Sequence, residues 1–313
     1  MRGLSLLSLG LALVLRATGA PAGDQPSVAL TPLPGKVRVE IGGRLFTEYL
    51  YSGQPRPVLY PVMGPSGIAM TRRFPLERGP AGESRDHSHH RSLWFAHGSM
   101  NGEDFWTEGG HSGRIVQEDF RIVAPDVLET SNVWRCPHGD GVCRDRRRLR
   151  FQVFPEGWLI DCEIVLLAAE RDLVLGDTKE GGMAIRVADG LRLGSQGAGG
   201  RGVNSEGATG PDLWGKRARW VDYYGEIEGR MVGVAVFDHP ASFRHPTWWH
   251  AREYGLLAAN PFGMADFGAG PAHAGDATVP KGQSLRLRYG FFFHNGTPEV
   301  ARVEAVYRRW AAP

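Results

Sequence analysis

Lys36-Val37-Arg38-Val39-Glu40-Ile41-Gly42-Gly43-Arg44-Leu45-Phe46 decides the fold. Apolar and polar residues alternate from Val37 to Ile41, so one face of an extended chain is apolar. Gly42-Gly43 then supplies a turn, and Leu45 to Tyr51 continues as a second strand. The pattern repeats downstream. Arg147 to Phe154 sets Leu149, Phe151 and Val153 on one face, and Trp158 to Ala169, Met231 to Phe237 and Leu285 to His294 read as further strands. With 43 Gly and 21 Pro in 313 residues, about a fifth of the chain punctuates these runs, which excludes a helical bundle. Only the C-terminus reads as a helix, with Pro298 in its first turn and Val300, Val303, Val306, Tyr307 and Trp310 at helical spacing. The fold class expected is all-β: a large two-sheet β-sandwich of supersandwich type with long loops and a C-terminal helix, one domain over residues 36–313.

Residues 1–20 read as a secretory signal peptide: Arg2, an apolar run from Leu4 to Leu15, and small residues at Thr18-Gly19-Ala20. Residues 21–35 are Pro-rich and read as a short arm. The expected location is therefore secreted or periplasmic, with no membrane span after cleavage. In an oxidising compartment Cys136 and Cys143, flanking a loop-like hexapeptide, are expected to form a disulfide, and Cys162 to be a buried thiol. The Gly-rich stretch 190–210 reads as one long loop. A net charge of +2 without a basic stripe gives no nucleic-acid partner. Nucleotide-binding glycine motifs and the serine-hydrolase elbow are absent.

The chemistry concentrates in four segments. Asp86-His87-Ser88-His89-His90-Arg91 leads into Ser92-Leu93-Trp94-Phe95-Ala96-His97, placing four of eleven histidines in eleven residues. On an extended chain His87 and His89 would share a face, as two ligands of one divalent metal or as acid, base and binding groups. Asp104, Phe105 and Trp106 set a carboxylate beside aromatics, which suits hydroxyls and C–H faces of a sugar. Glu180 and Arg186 stand six residues apart and would point the same way on a regular strand. The fourth segment, Trp248-Trp249-His250-Ala251-Arg252-Glu253-Tyr254 through Asn260-Pro261-Phe262-Gly263, puts His250 and Arg252 on one face beside Trp248. His294 closes the last strand.

Together, the His cluster with Arg91 to Phe95, Phe105-Trp106, Lys179-Glu180-Gly181 with Arg186, and Trp248 to Gly263 resemble the uncharacterised bacterial family labelled PmoA-like, over roughly residues 35–310. That resemblance implies a secreted protein with a carbohydrate role. The methane-oxidation sense of the label does not fit a chain without a spanning helix after its leader. The layout is also distantly similar to galactose-mutarotase-type supersandwich proteins, which implies a sugar cleft across one sheet. No late catalytic carboxylate matches that group.

These readings converge on a carbohydrate-active lyase, epimerase or hydrolase for uronic or keto sugars. His89, His90, Glu180 and His250 are the expected catalytic groups. Arg73, Trp94, Asp104, Trp106, Arg186, Trp248, Arg252, Asn260 and His294 are the expected substrate-binding groups. The alternatives are a metal-dependent sugar hydrolase or lyase and a non-catalytic carbohydrate-binding protein. In each case the partner is a small-molecule or oligosaccharide ligand. The concentration of His, Glu and Arg favours an enzyme, since a binding module needs only aromatics and amides.

Overall fold

The computed structural model describes residues 26–194 and 199–312. The leader reading, residues 1–20, lies outside the described residues. Eighteen strands follow in order: β1 (Val28–Leu33), β2 (Lys36–Ile41), β3 (Arg44–Leu50), β4 (Val58–Val62), β5 (Leu93–His97), β6 (Arg114–Ala124), β7 (Val127–Arg135), β8 (Gly141–Phe154), β9 (Gly157–Leu167), β10 (Leu173–Leu175), β11 (Gly181–Arg186), β12 (Arg201–Asn204), β13 (Trp220–Ile227), β14 (Arg230–Asp238), β15 (Trp248–Ala251), β16 (Leu256–Asn260), β17 (Ala277–Val279) and β18 (Ser284–Asn295). One helix, α1 (Val303–Ala311), ends the chain. Two eight-stranded sheets form the sandwich. The first runs β1-β2-β3-β4-β5-β11-β16-β15 and the second β12-β13-β14-β18-β9-β8-β7-β6, with β10 and β17 paired separately.

The alternation in the opening stretch decides which side each residue takes. Val37, Val39 and Ile41 are buried, while Lys36, Arg38 and Glu40 are half-buried on the other face. The interior is lined from both sheets. Phe46 of β3 meets Phe293 of β18 at 5.8 Å, and Phe95 of β5 meets Trp134 of β7 at 5.7 Å. Because Phe95 faces inward, Trp94 must face outward. That parity fixes the location of the site. Trp94 pairs with Ala184, Ala184 with Ala258 and Ala258 with His250, so all four share the outer face of the first sheet.

The outer face of the second sheet is closed differently. Val303, Val306, Tyr307 and Trp310 of α1 cover Leu159, Phe237 and Phe292.

Four sequence expectations change. The helix begins at Val303, not Pro298, because Arg302 takes a left-handed conformation (φ 53°), and Val300 is 71% exposed. The Pro-rich arm is in part a strand: Val28–Leu33 pairs antiparallel with β2, with Pro32 at an edge where its missing N–H costs nothing. Residues 190–210 hold strand β12 besides loop. Cys136 and Cys143 are free thiols. Cys143 turns into the core opposite Trp134, and burial pushes its thiol well above the ordinary range. Cys162 is a buried thiol as expected.

Candidate active site

The histidine segment is not extended. His87 adopts φ 42° and the His90 N–H donates to the His87 carbonyl at 2.9 Å, so the chain folds into a turn. Face alternation therefore fails, and all three rings meet. His87 stacks on His90 at 4.8 Å, His89 lies edge-on to His90 at 4.4 Å, and His90 stacks on Trp94 at 5.4 Å. A positive φ on a non-glycine residue costs free energy that the surroundings must offset.

Two buried arginines supply that support. Arg72 donates to the backbone carbonyls of Phe74, Asp86 and His87 at 3.1, 2.9 and 3.1 Å. Arg56 donates to the carbonyls of His89, Trp106 and Thr107 at 3.1, 2.8 and 3.0 Å. A guanidinium offers five donors in a rigid fork, so it can hold several carbonyls of an irregular segment at once.

Asp86 is the electrostatic centre. One oxygen accepts from Arg72 and from Arg186, each at 2.7 Å, and the other accepts from His87 Nδ1 at 2.6 Å. Partial burial alone would raise this carboxyl, but Arg186, the His87 hydrogen bond and Arg72 hold it at about 2. It is thus a carboxylate at neutral pH, and it fixes the His87 proton on Nδ1 and leaves a lone pair on Nε2. His90 takes the opposite tautomer. Its Nδ1 lies 3.3 Å from an Arg186 N–H, which can only donate, so the neutral His90 carries its proton on Nε2. Burial foremost, then the charges of His89 and Arg186, drives its pKa far down. Burial, with Arg56 and His87, lowers His89 to about 4.

Glu180 directly precedes β11, where its carbonyl accepts from the Gly98 N–H at 2.7 Å. Burial raises its carboxyl and Lys179, at 3.5 Å, lowers it; His87 is near enough to lower it too when that ring is protonated. Gly182 beside it has φ 90°, and a Cβ there would lie 1.9 Å from the Ala259 carbonyl oxygen, so only glycine fits between β11 and β16. Tyr254 completes the stack, 4.7 Å from His87, with the Arg186 guanidinium 4.8 Å above its ring. Burial lifts its hydroxyl to about 12. His250 donates from Nδ1 to the Lys179 carbonyl at 2.8 Å, rests against Trp214 at 4.9 Å, and is held by burial at about 3. Arg252 lies over the other side of this group, 4.7 Å from the Trp214 ring.

The structure thus brings together His87, His89, His90, Trp94, Trp106 and Arg186; Arg252 adjoins them through Tyr254, His250 adjoins Arg252 through Trp214, and Glu180 stands at the other end of β11. The remaining expected residues serve other ends. Arg73 is half-exposed and faces Glu77 at 3.8 Å, while its neighbour Arg72 points inward. Asp104 caps its own turn by accepting from the Trp106 and Thr107 N–H groups. The Asn260 amide is used on the carbonyls of Thr178 and Lys179 and on the Phe262 N–H. Trp248 sits on the edge strand beneath Arg217 at 4.6 Å. His294 belongs to the second sheet, where it is buried against Asp222 at 3.1 Å. For the metal reading, among the described residues no three His, Cys, Asp or Glu side chains are grouped to hold an ion. Sequence reading placed Asp86 and Tyr254 in the chemical segments but gave them no role, and it missed Trp214. An aspartate directly before a histidine was the available sign for the first; Trp214 had none.

Buried donors without partners mark the floor of the cluster. The indole N–H groups of Trp94 and Trp106, whose rings lie 5.3 Å apart, and Nε of Arg186 have no acceptor among the described residues. Each such group costs on the order of 1–3 kcal/mol until an acceptor reaches it. The set is donor-rich and suits a ligand bearing oxygen.

A profile described as a family of unknown function (DUF6807) matches residues 36–308. It does not carry the PmoA-like name, so that part of the resemblance finds no support; an uncharacterised family spanning most of the chain does. No curated protein matches. Among solved structures, the Slr1438 protein from Synechocystis sp. PCC 6803 aligns over 90% of this chain and 100% of its own, at 10% identity and a TM-score of 0.37. The 4-alpha-glucanotransferase from Thermococcus litoralis aligns over 87% of this chain and 40% of its own, at 8% identity and a TM-score of 0.35. At that degree of overlap neither carries an inference for this chain. Among the described residues no helix is long and apolar enough to cross a membrane.

Proposed function

The chain belongs to the DUF6807 family, whose function is unassigned, and from its site we propose an acid–base enzyme that moves a proton next to the carbonyl or carboxyl group of a uronic or keto sugar. One observation carries this reading: the partners of two stacked imidazoles, a carboxylate on one Nδ1 and a guanidinium on the other, assign them opposite tautomers. His87 presents a lone pair backed by the Asp86 carboxylate, and His90 presents an N–H.

A base and an oxygen-directed donor side by side are what enolisation needs. His87 Nε2 takes the proton from the carbon beside the carbonyl. The electron pair moves onto the carbonyl oxygen, where His90 Nε2–H and the Arg186 charge stabilise it. Glu180, its carboxyl raised by burial, returns a proton to carbon in an epimerisation or to the leaving oxygen in an elimination.

Lyase or epimerase chemistry fits better than hydrolysis. Carboxylate-pair hydrolysis requires two available carboxyls, and both oxygens of Asp86 are already engaged. The leader-like residues 1–20 support a place of action outside the cytoplasm.

The test is proton exchange in heavy water. Uronic and keto sugars incubated with the protein should gain deuterium next to the carbonyl, read by NMR. His87→Ala should slow that exchange by roughly 100- to 10,000-fold. A panel in which the wild type exchanges no sugar proton, or in which His87→Ala exchanges as fast as wild type, rejects the mechanism.

A further inference from the structure

We propose that Arg252, held between Trp214 and Tyr254, is an anion subsite that takes a carboxylate of the ligand, so that the substrate is an acidic saccharide. This deepens the proposed function and rests on it for the identity of the neighbouring reacting group.

The arginines around the cluster differ in their partners. Arg72 and Arg186 bind Asp86, and Arg91 binds Glu108 in a two-point pair at 2.7 Å. Arg56 lies 3.6 Å from Glu108. Each of these four has a carboxylate. Arg252 is different: its guanidinium has no carboxylate and no side-chain hydrogen bond among the described residues. It is held by aromatic faces instead, 4.7 Å from the Trp214 ring and 5.6 Å from the Tyr254 ring.

Its backbone is fixed as well. The Arg252 N–H donates to the Leu256 carbonyl at 2.8 Å, and its carbonyl accepts from the Gly255 N–H at 3.0 Å and from the Tyr223 hydroxyl at 3.3 Å. Stacking on aromatic rings orients a guanidinium plane without consuming its N–H donors. The result is a half-buried, oriented cation with an unused planar fork, the geometry that a carboxylate matches with two parallel hydrogen bonds.

The location ties this fork to the reacting groups. Tyr254 links them: His87 stacks on its ring at 4.7 Å, and the Arg252 guanidinium lies 5.6 Å from the ring centroid. A sugar ring resting against the edge of Tyr254 would therefore be within reach of both the base and the guanidinium. A neutral sugar leaves the fork unmatched. A uronate, or an oligosaccharide of uronates, fills it.

The experiment compares glucuronate with glucose, which differ at the carboxylate, by calorimetric titration of wild type, Arg252→Gln, Arg252→Lys and His87→Ala. Wild type should prefer glucuronate. Arg252→Gln should weaken glucuronate binding roughly 10- to 100-fold and leave glucose binding unchanged. Arg252→Lys should recover part of the loss, because it restores charge without the fork. Intact near-ultraviolet dichroism of Arg252→Gln serves as the folding control. An unchanged preference in Arg252→Gln, or no glucuronate binding by wild type, overturns the subsite. His87→Ala separates the two readings. Normal glucuronate binding with lost exchange supports both, whereas normal binding with normal exchange removes the catalytic reading and leaves the subsite standing.

Discussion

Asp86 carries more of the site than any histidine beside it. It neutralises two buried guanidinia and sets the tautomer of His87 through one 2.6 Å hydrogen bond. Asp86→Asn keeps the size and removes the charge. The variant should lose about 100- to 10,000-fold in exchange rate while its binding of a neutral sugar stays near wild type, as parallel NMR kinetics and titration would show. The residues themselves were largely legible in the sequence, because histidine, carboxylate and tryptophan crowd into short spans. Their roles were not. The pairing of His87 with Asp86 depends on the left-handed backbone at His87, and no local pattern announces it. Likewise Arg72 and Arg73 look equivalent as neighbours, and only the tertiary packing decides which one points inward. Trp214 arrives from a turn after a Gly-rich segment and shares no motif with the groups it touches.

Among the elements, β11 is the least tolerant of change. It pairs with β5 on one side and β16 on the other, and all of Gly181–Arg186 is buried. Gly182→Ala combines a disfavoured φ with a Cβ driven into the Ala259 carbonyl. The expected result is a loss of more than about 3 kcal/mol or no soluble protein, measured by urea unfolding; a loss below about 1 kcal/mol would mean that β11 and β16 can separate freely. Strands of this kind were legible because a two-residue period with one apolar face has few other interpretations. The strand starts matched well, as for Met231 to Phe237 inside β14 and Leu285 to His294 inside β18. Other elements were not legible: β4, β6, β7 and β13, among others, were not read as strands. The edge strand β1 is disguised by its prolines, and the first turn expected of the helix is undone by the left-handed Arg302.

At the scale of the whole molecule, the two sheets divide their labour. The second sheet covers part of its outer face with α1, whereas the first leaves its outer face to the cluster and the loops above it. This arrangement buries many imidazoles in neutral form. Burial lowers His89 and His97 to about 4, His239 to about 4 and His250 to about 3, with His90 lower still. Unfolded, each would titrate near 6.5. Between those values the unfolded chain binds more protons than the folded one, so stability is full above about pH 6.5 and falls as the medium becomes more acid. Asp86 acts in the same direction in a lower window, its contribution fading from about pH 4 toward 2. A melting temperature measured from pH 8 to pH 5 should hold level to about 6.5 and then drop by roughly 5–15 °C. A flat profile would mean that these histidines take up protons while the protein stays folded.

The clamp on the histidine turn has a further consequence. Arg72 and Arg56 grip carbonyl oxygens, which every residue type possesses, and ignore most of the side chains in the segment they hold. A frame addressed to the backbone is indifferent to spelling. Positions such as Ser88 can drift through mutation while the path of the turn persists, so the lineage can try new chemistry on this surface without having to reinvent the support beneath it.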